Sequence, residues 1–129
     1  MPSEFPLPLL LALAFGLVIG GPIIAALRLL KARQVIHAVG PVWRGGDRGE
    51  PDLLAKCYRR SLGLAAQHEL KSIAFPAIST GAYGYPLEDA TQIAIREARE
   101  FEKKHPAMRI VFCCFSTSDA EVYRRYLAS

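Results

Sequence analysis

Three short apolar runs, each followed by an amphipathic stretch, constrain this chain more than any other feature. Gln34 to Val42 carries β-branched residues and reads as a strand. Pro51 suits a first helical turn and opens a helix to about Leu70, with Leu54, Cys57, Tyr58, Ser61, Leu64, Ala65 and His68 along one face. Lys71 to Ile78 is the second strand. Leu87 to Lys104 is the second helix, with Leu87, Ala90, Ile93, Ala94, Ala98 and Phe101 as its buried stripe, and Pro106 ends it. Met108 to Phe115 is a third strand, apolar on both faces and therefore expected at the centre of a sheet. Ser118 with Glu121 forms a capping box that opens a last helix through Leu127. This βαβαβα order predicts an α/β fold in three layers, with a mostly parallel sheet and right-handed crossovers.

Residues 1–29 differ in kind. No charged residue occurs from Phe5 to Leu27, a stretch that at helical rise spans roughly 34 Å, enough for a bilayer. Arg28, Lys31 and Arg33 follow, which places the C-terminal part on the cytoplasmic side by the positive-inside rule. Gly16 and Gly20 form a GxxxG pair, a weak sign of helix packing in a membrane. A cleaved signal peptide would begin with basic residues, and the early charge here is Glu4. A buried soluble segment is the other alternative, because Gly20-Gly21-Pro22 breaks a helix into two pieces. The expectation taken is an apolar N-terminal helix, residues 1–29, spanning a membrane, and a cytoplasmic domain over 30–129. If the segment is no true span, the whole chain is cytoplasmic.

The 129 residues suffice for one small domain, and 51% hydrophobic with 22% charged residues excludes a disordered chain. A net charge of +4 suits a phosphate-bearing ligand or an ordinary solvated surface, and no basic patch interleaved with aromatics points to nucleic acid. Cys113 and Cys114 point to opposite faces of a strand, Cys57 lies mid-helix, and no CxxC spacing occurs. The cysteines therefore read as reduced packing residues.

In open parallel sheets, ligands sit at the carboxyl ends of the strands. Those ends carry Gly40-Pro41-Val42-Trp43, then Ala77-Ile78-Ser79-Thr80-Gly81-Ala82-Tyr83-Gly84-Tyr85-Pro86, then Phe115-Ser116-Thr117. The small and glycine residues of the second end let backbone N–H groups approach an anion, and the following helix is expected to add its positive end. The segment reads as a phosphate cradle or, failing that, as a plain strand-to-helix turn, since it lacks the lysine and spacing of a Walker loop or dinucleotide fingerprint. Phe115 is either a stacking platform for a base or ribose, or a core residue ending a strand. His37 reads as a core histidine within a strand and His105 as a helix-end residue complementing the dipole. No nucleophile with its base, carboxylate pair or metal cluster stands out, so no catalytic residue, metal or cofactor is expected.

Val35-Ile36-His37-Ala38-Val39-Gly40-Pro41-Val42-Trp43, Leu54 with Cys57-Tyr58, Ile73 through Pro86 and Ile110-Val111-Phe112-Cys113-Cys114-Phe115 together resemble the macro domain family, in the branch of bacterial O-acetyl-ADP-ribose deacetylases and mono-ADP-ribosyl hydrolases. The resemblance covers about Leu30 to Ser129. It implies an ADP-ribose ligand, free or attached to a protein, with Ser79, Thr80, Gly81, Ala82, Tyr83 and Gly84 around the diphosphate and distal ribose and Phe115 near the adenosine end.

A complete member of this branch carries an earlier half, with an aspartate for adenine and an Asn- and Gly-rich catalytic loop. Residues 1–30 match none of it, and the chain has no asparagine. The resemblance therefore implies a partial macro domain with impaired catalysis, and a sheet lacking a strand between the second and third strands read above. An active hydrolase of an ADP-ribose derivative and a decayed remnant serving only as an interaction module are the alternatives.

Overall fold

The computed structural model describes residues 10–14 and 34–129. Four strands of five residues, β1 (Leu10–Ala14), β2 (Gln34–Ala38), β3 (Ser72–Pro76) and β4 (Arg109–Cys113), form one sheet in the order β2-β1-β3-β4. All neighbours are parallel: Leu11 lies opposite both Val35 and Ala74, and Phe75 lies opposite Phe112. Three helices follow β2, β3 and β4 in turn, α1 (Glu50–Gln67), α2 (Leu87–Lys104) and α3 (Thr117–Ala128). Helix α1 packs on α2 and α2 on α3, so the described helices make one layer against the sheet.

The first strand corrects two expectations. Leu10–Ala14 lies inside the stretch read as a membrane helix, yet it is a strand with partners on both sides. The remainder of residues 1–29 lies outside the described residues. Among the described residues, no helix is long and apolar enough to cross a membrane. The gap expected between the second and third strands of the sequence reading is absent, because those strands, β3 and β4, pair directly over five residues. The additional strand sits one place away, between β2 and β3.

The expectation that Met108–Phe115 is central also fails. Strand β4 is half-buried at one edge of the described sheet, and β3 has Ser72, Ile73, Ala74 and Phe75 all buried. Apolar character on both faces does not by itself separate a central strand from an edge strand flanked by helices. The core forms where Ile73 and Phe75 meet Leu54, Tyr58 and Leu62 of α1 and Ala90, Ile93 and Ala94 of α2. The Tyr58 and Phe75 rings lie 5.0 Å apart and those of Phe112 and Tyr123 5.2 Å apart, which joins α1, the sheet and α3 through aromatic contacts.

Helix boundaries follow local chemistry. Helix α1 starts with Pro51 in its first turn and ends where Glu69 turns to φ 56° and the Leu70 N–H donates to the Ala65 carbonyl. Its buried face is Leu54, Ala55, Tyr58, Ser61, Leu62 and Ala65, whereas Leu64 and His68 of the expected face are exposed. Helix α2 runs over the residues expected. Helix α3 is capped by Ser116 and not by Ser118, because the Ser116 hydroxyl accepts the Asp119 N–H at 3.2 Å.

Candidate functional site

The parallel sheet sends the loops after β2, β3 and β4 to one edge. Three of the exposed large apolar residues, Val39, Val42 and Phe115, lie in the loops after β2 and β4. Phe115 is 99% exposed, which removes the reading of it as a core residue. It stands two residues beyond β4, and β4 pairs with the strand that carries the glycine loop.

The loop after β3 is shaped by its left-handed positions. Ser79 adopts φ 68° and Gly84 φ 72°, and the first is costly for a residue with a Cβ. Inside the loop the Tyr85 N–H donates to the Ser79 carbonyl at 2.9 Å, the Gly84 N–H to the Gly81 carbonyl at 3.0 Å, and the Thr80 hydroxyl to the Ala77 carbonyl at 3.1 Å. The N–H groups of Thr80, Gly81 and Ala82 take no part in the backbone bonds among the described residues. Gly81, Ala82 and Gly84 are exposed, Thr80 and Tyr83 are half-buried, and Ser79 is 7% exposed. The Ser79 hydroxyl has no hydrogen-bond partner among the described residues. A strained, buried serine with an unanswered hydroxyl beside free N–H groups is an arrangement suited to an anion.

The helix dipole does not add to this cradle as expected. The first turn of α2 carries Glu88 and Asp89, and Glu88 pairs with Arg125 at 2.8 Å. The positive end of α2 is thus already met by its own carboxylates. The anion-binding potential resides in the loop amides.

The loop after β2 completes this side of the site. The Trp43 N–H donates to the Tyr83 carbonyl at 2.8 Å, and the Trp43 ring lies 4.6 Å from that of Tyr85. Sequence reasoning missed Glu50. It is 2% exposed, and its carboxylate accepts the N–H groups of Arg44 at 2.8 Å, Gly46 at 2.9 Å and Arg48 at 2.6 Å. Burial alone would raise its pKa, but these backbone donors outweigh it and hold the carboxyl at about 2. The available signal was an acid directly before Pro51 at the end of a glycine-rich loop.

Burial is the leading influence on several phenols and thiols. Burial raises the Tyr58 phenol well above its ordinary value and pushes Tyr123 up to about 12. Burial, followed by the Asp89 and Glu50 charges, raises Tyr85. Burial also raises the thiols of Cys57, Cys113 and Cys114, in keeping with packing roles, and the Cys57 thiol donates to the Val39 carbonyl at 3.1 Å. His37, expected in the core, is exposed on edge strand β2.

With this geometry in place, the family model described as "Macro domain" matches residues 16–94. The chain belongs to the macro domain family. The match begins inside the apolar N-terminal stretch, so macro similarity starts earlier than the expected Leu30. An O-acetyl-ADP-ribose deacetylase of Klebsiella pneumoniae is 54% identical over 101 residues, covering 78% of this chain and 58% of that protein. The chain thus spans under two thirds of the length of that relative. A Trypanosoma brucei macrodomain solved in complex with ADP-ribose superposes with a TM-score of 0.74 at 34% identity, covering 93% of this chain and 63% of the other. An Oceanobacillus iheyensis macrodomain solved with ADP has a TM-score of 0.73 at 38% identity, covering 77% of this chain and 52% of the other.

Proposed function

We propose that this macro domain binds ADP-ribose or a derivative, free or linked to a protein side chain. Ser79, Thr80, Gly81, Ala82, Tyr83 and Gly84 hold the diphosphate and distal ribose, and Phe115 offers its exposed ring to the adenosine end. One observation carries the reading: among the described residues, Ser79 is buried at φ 68° with an unpartnered hydroxyl, in a loop whose Thr80 to Ala82 amides take no part in backbone bonds. The ADP and ADP-ribose complexes of its structural neighbours support the ligand class. Hydrolysis of an acetyl or ADP-ribosyl linkage is the second reading, favoured by the identity to the Klebsiella deacetylase. These 129 residues hold no asparagine, so we place binding ahead of turnover.

Calorimetric titration of the full chain with ADP-ribose tests the proposal. Saturable heat is expected, and no heat with no thermal shift at millimolar ligand overturns it. A Cβ on Gly81 would meet open space, so Gly81→Glu should fold normally and lose binding by repulsion of the diphosphate. Phe115→Ala should leave stability within about 0.5 kcal/mol, as for other exposed positions. Its affinity for ADP-ribose should fall about 10-fold, the scale of one lost base–aromatic stack. Unchanged affinity would remove Phe115 from the site.

A further inference from the structure

We propose that Glu50 is a positioning residue for the phosphate loop, acting through the loop between β2 and α1 and through Trp43. The ligand in this inference rests on the ADP-ribose reading, whereas the mechanical connection stands on geometry alone. Glu50 opens α1, and its buried carboxylate gathers the N–H groups of Arg44 and Gly46 on Oε2 and of Arg48 on Oε1. The segment it gathers has no regular structure of its own and turns through positive φ at Gly45, Gly46 and Gly49. Such a segment has many conformations to lose, and one anion answering three donors selects among them.

The far end of the same segment is tied to the phosphate loop. The Trp43 N–H donates to the Tyr83 carbonyl, and the indole packs against Tyr85. Gly46 lies against that indole, so that a Cβ there would come within 2.8 Å of it. Carboxylate, glycine turn, indole and Tyr83 therefore form a continuous series of contacts. Tyr83 belongs to the loop whose Thr80, Gly81 and Ala82 N–H groups take no part in the backbone bonds among the described residues. The second acid of the same helical turn, Asp52, is exposed and stands outside this series. Complementing the helix dipole is thus not what distinguishes Glu50, because Asp52 does that equally well.

Amide hydrogen exchange and ADP-ribose titration on the full-length wild type, Glu50→Gln, Arg48→Pro and Asp52→Asn test the inference. Glu50→Gln turns an accepting oxygen into a donor facing the Arg48 N–H. Arg48→Pro deletes that N–H from an exposed position and keeps the buried carboxylate, so it serves if Glu50→Gln does not fold. Faster exchange at Gly84 and Tyr85 in either variant, with the amides of Leu62 and Ala94 still protected, is the expected result. Affinity for ADP-ribose should fall about 10-fold with it, the scale of one charged hydrogen bond. Asp52→Asn should change neither. Unchanged exchange at Gly84 and Tyr85 in a folded Glu50→Gln or Arg48→Pro protein overturns the inference, and so does an equal effect of Asp52→Asn. Failure of the wild type to bind ADP-ribose overturns the ligand assignment instead, and the exchange measurement still decides the positioning role.

Discussion

The backbone of Gly40 lies so close to Ser79 that a Cβ on Gly40 would overlap both the Ser79 hydroxyl and the Ile78 side chain. The loops after β2 and β3 therefore meet at a point where only a hydrogen fits. Gly40→Ala has nowhere to place its methyl without moving the strained Ser79. We expect destabilisation of about 1–3 kcal/mol, the usual scale of overpacking. Thermal melts would read this, and titration should show a parallel loss of ADP-ribose binding. A Gly40→Ala protein with wild-type stability and affinity would show that the two loops part freely.

Ser79 separates stability from binding. At φ 68° its Cβ is unfavourable, and its buried hydroxyl has no partner among the described residues. Ser79→Gly removes both costs and should stabilise the chain by about 1 kcal/mol in urea unfolding. Should the hydroxyl or the stiffness of the loop serve the ligand, the same variant binds ADP-ribose more weakly. Greater stability with undiminished affinity would reduce Ser79 to a strained turn residue.

Glu50 makes a signed prediction about acid. Its carboxyl titrates at about 2 in the fold against an ordinary 4.5, so the folded state binds its proton less readily than the unfolded chain does. The resulting stabilisation is fully present above about pH 4.5 and is lost as pH falls toward about 2. The stability gap between wild type and Glu50→Gln, followed by denaturant unfolding over a pH series, should therefore be widest near neutrality and close across that window. A gap that stays constant through it contradicts the assignment.

Strand β1 is testable through its backbone. Leu11 lies between Val35 and Ala74, so a proline there removes a ladder donor from the interior of the sheet. Leu11→Pro should abolish cooperative melting of the chain. A domain folding from Gln34 onward without this strand would melt unchanged, and circular dichroism distinguishes the two results.

Much of the fold is readable from residue pattern because three of its strands and all three described helices are local signals. The stripe Ala90, Ile93, Ala94 and Ala98 repeats at helical spacing, and the bounds of α2 follow from it together with Pro86 and Pro106. Strand β1 left no such signal. A continuous apolar run carries no periodicity, so the stretch around Leu10–Ala14 suits a membrane helix and a buried parallel strand equally well. The rank of β4 at the edge was hidden for the same reason, since half-burial and full burial both select apolar residues.

The sequence alone determined where the glycine-rich segment lies: small residues and glycines after the strand ending at Pro76, in a parallel α/β chain, place Ser79 to Gly84 at the carboxyl edge. Tertiary structure decided what holds that segment in shape. Gly40 under Ser79, Trp43 on Tyr83 and Glu50 beneath its own loop are contacts between residues distant in sequence or folded back across a turn. No propensity or spacing encodes such contacts. They arise only when the sheet brings the ends of β2 and β3 together, and the buried carboxylate of Glu50 then finds three backbone donors that the extended chain would have left to water.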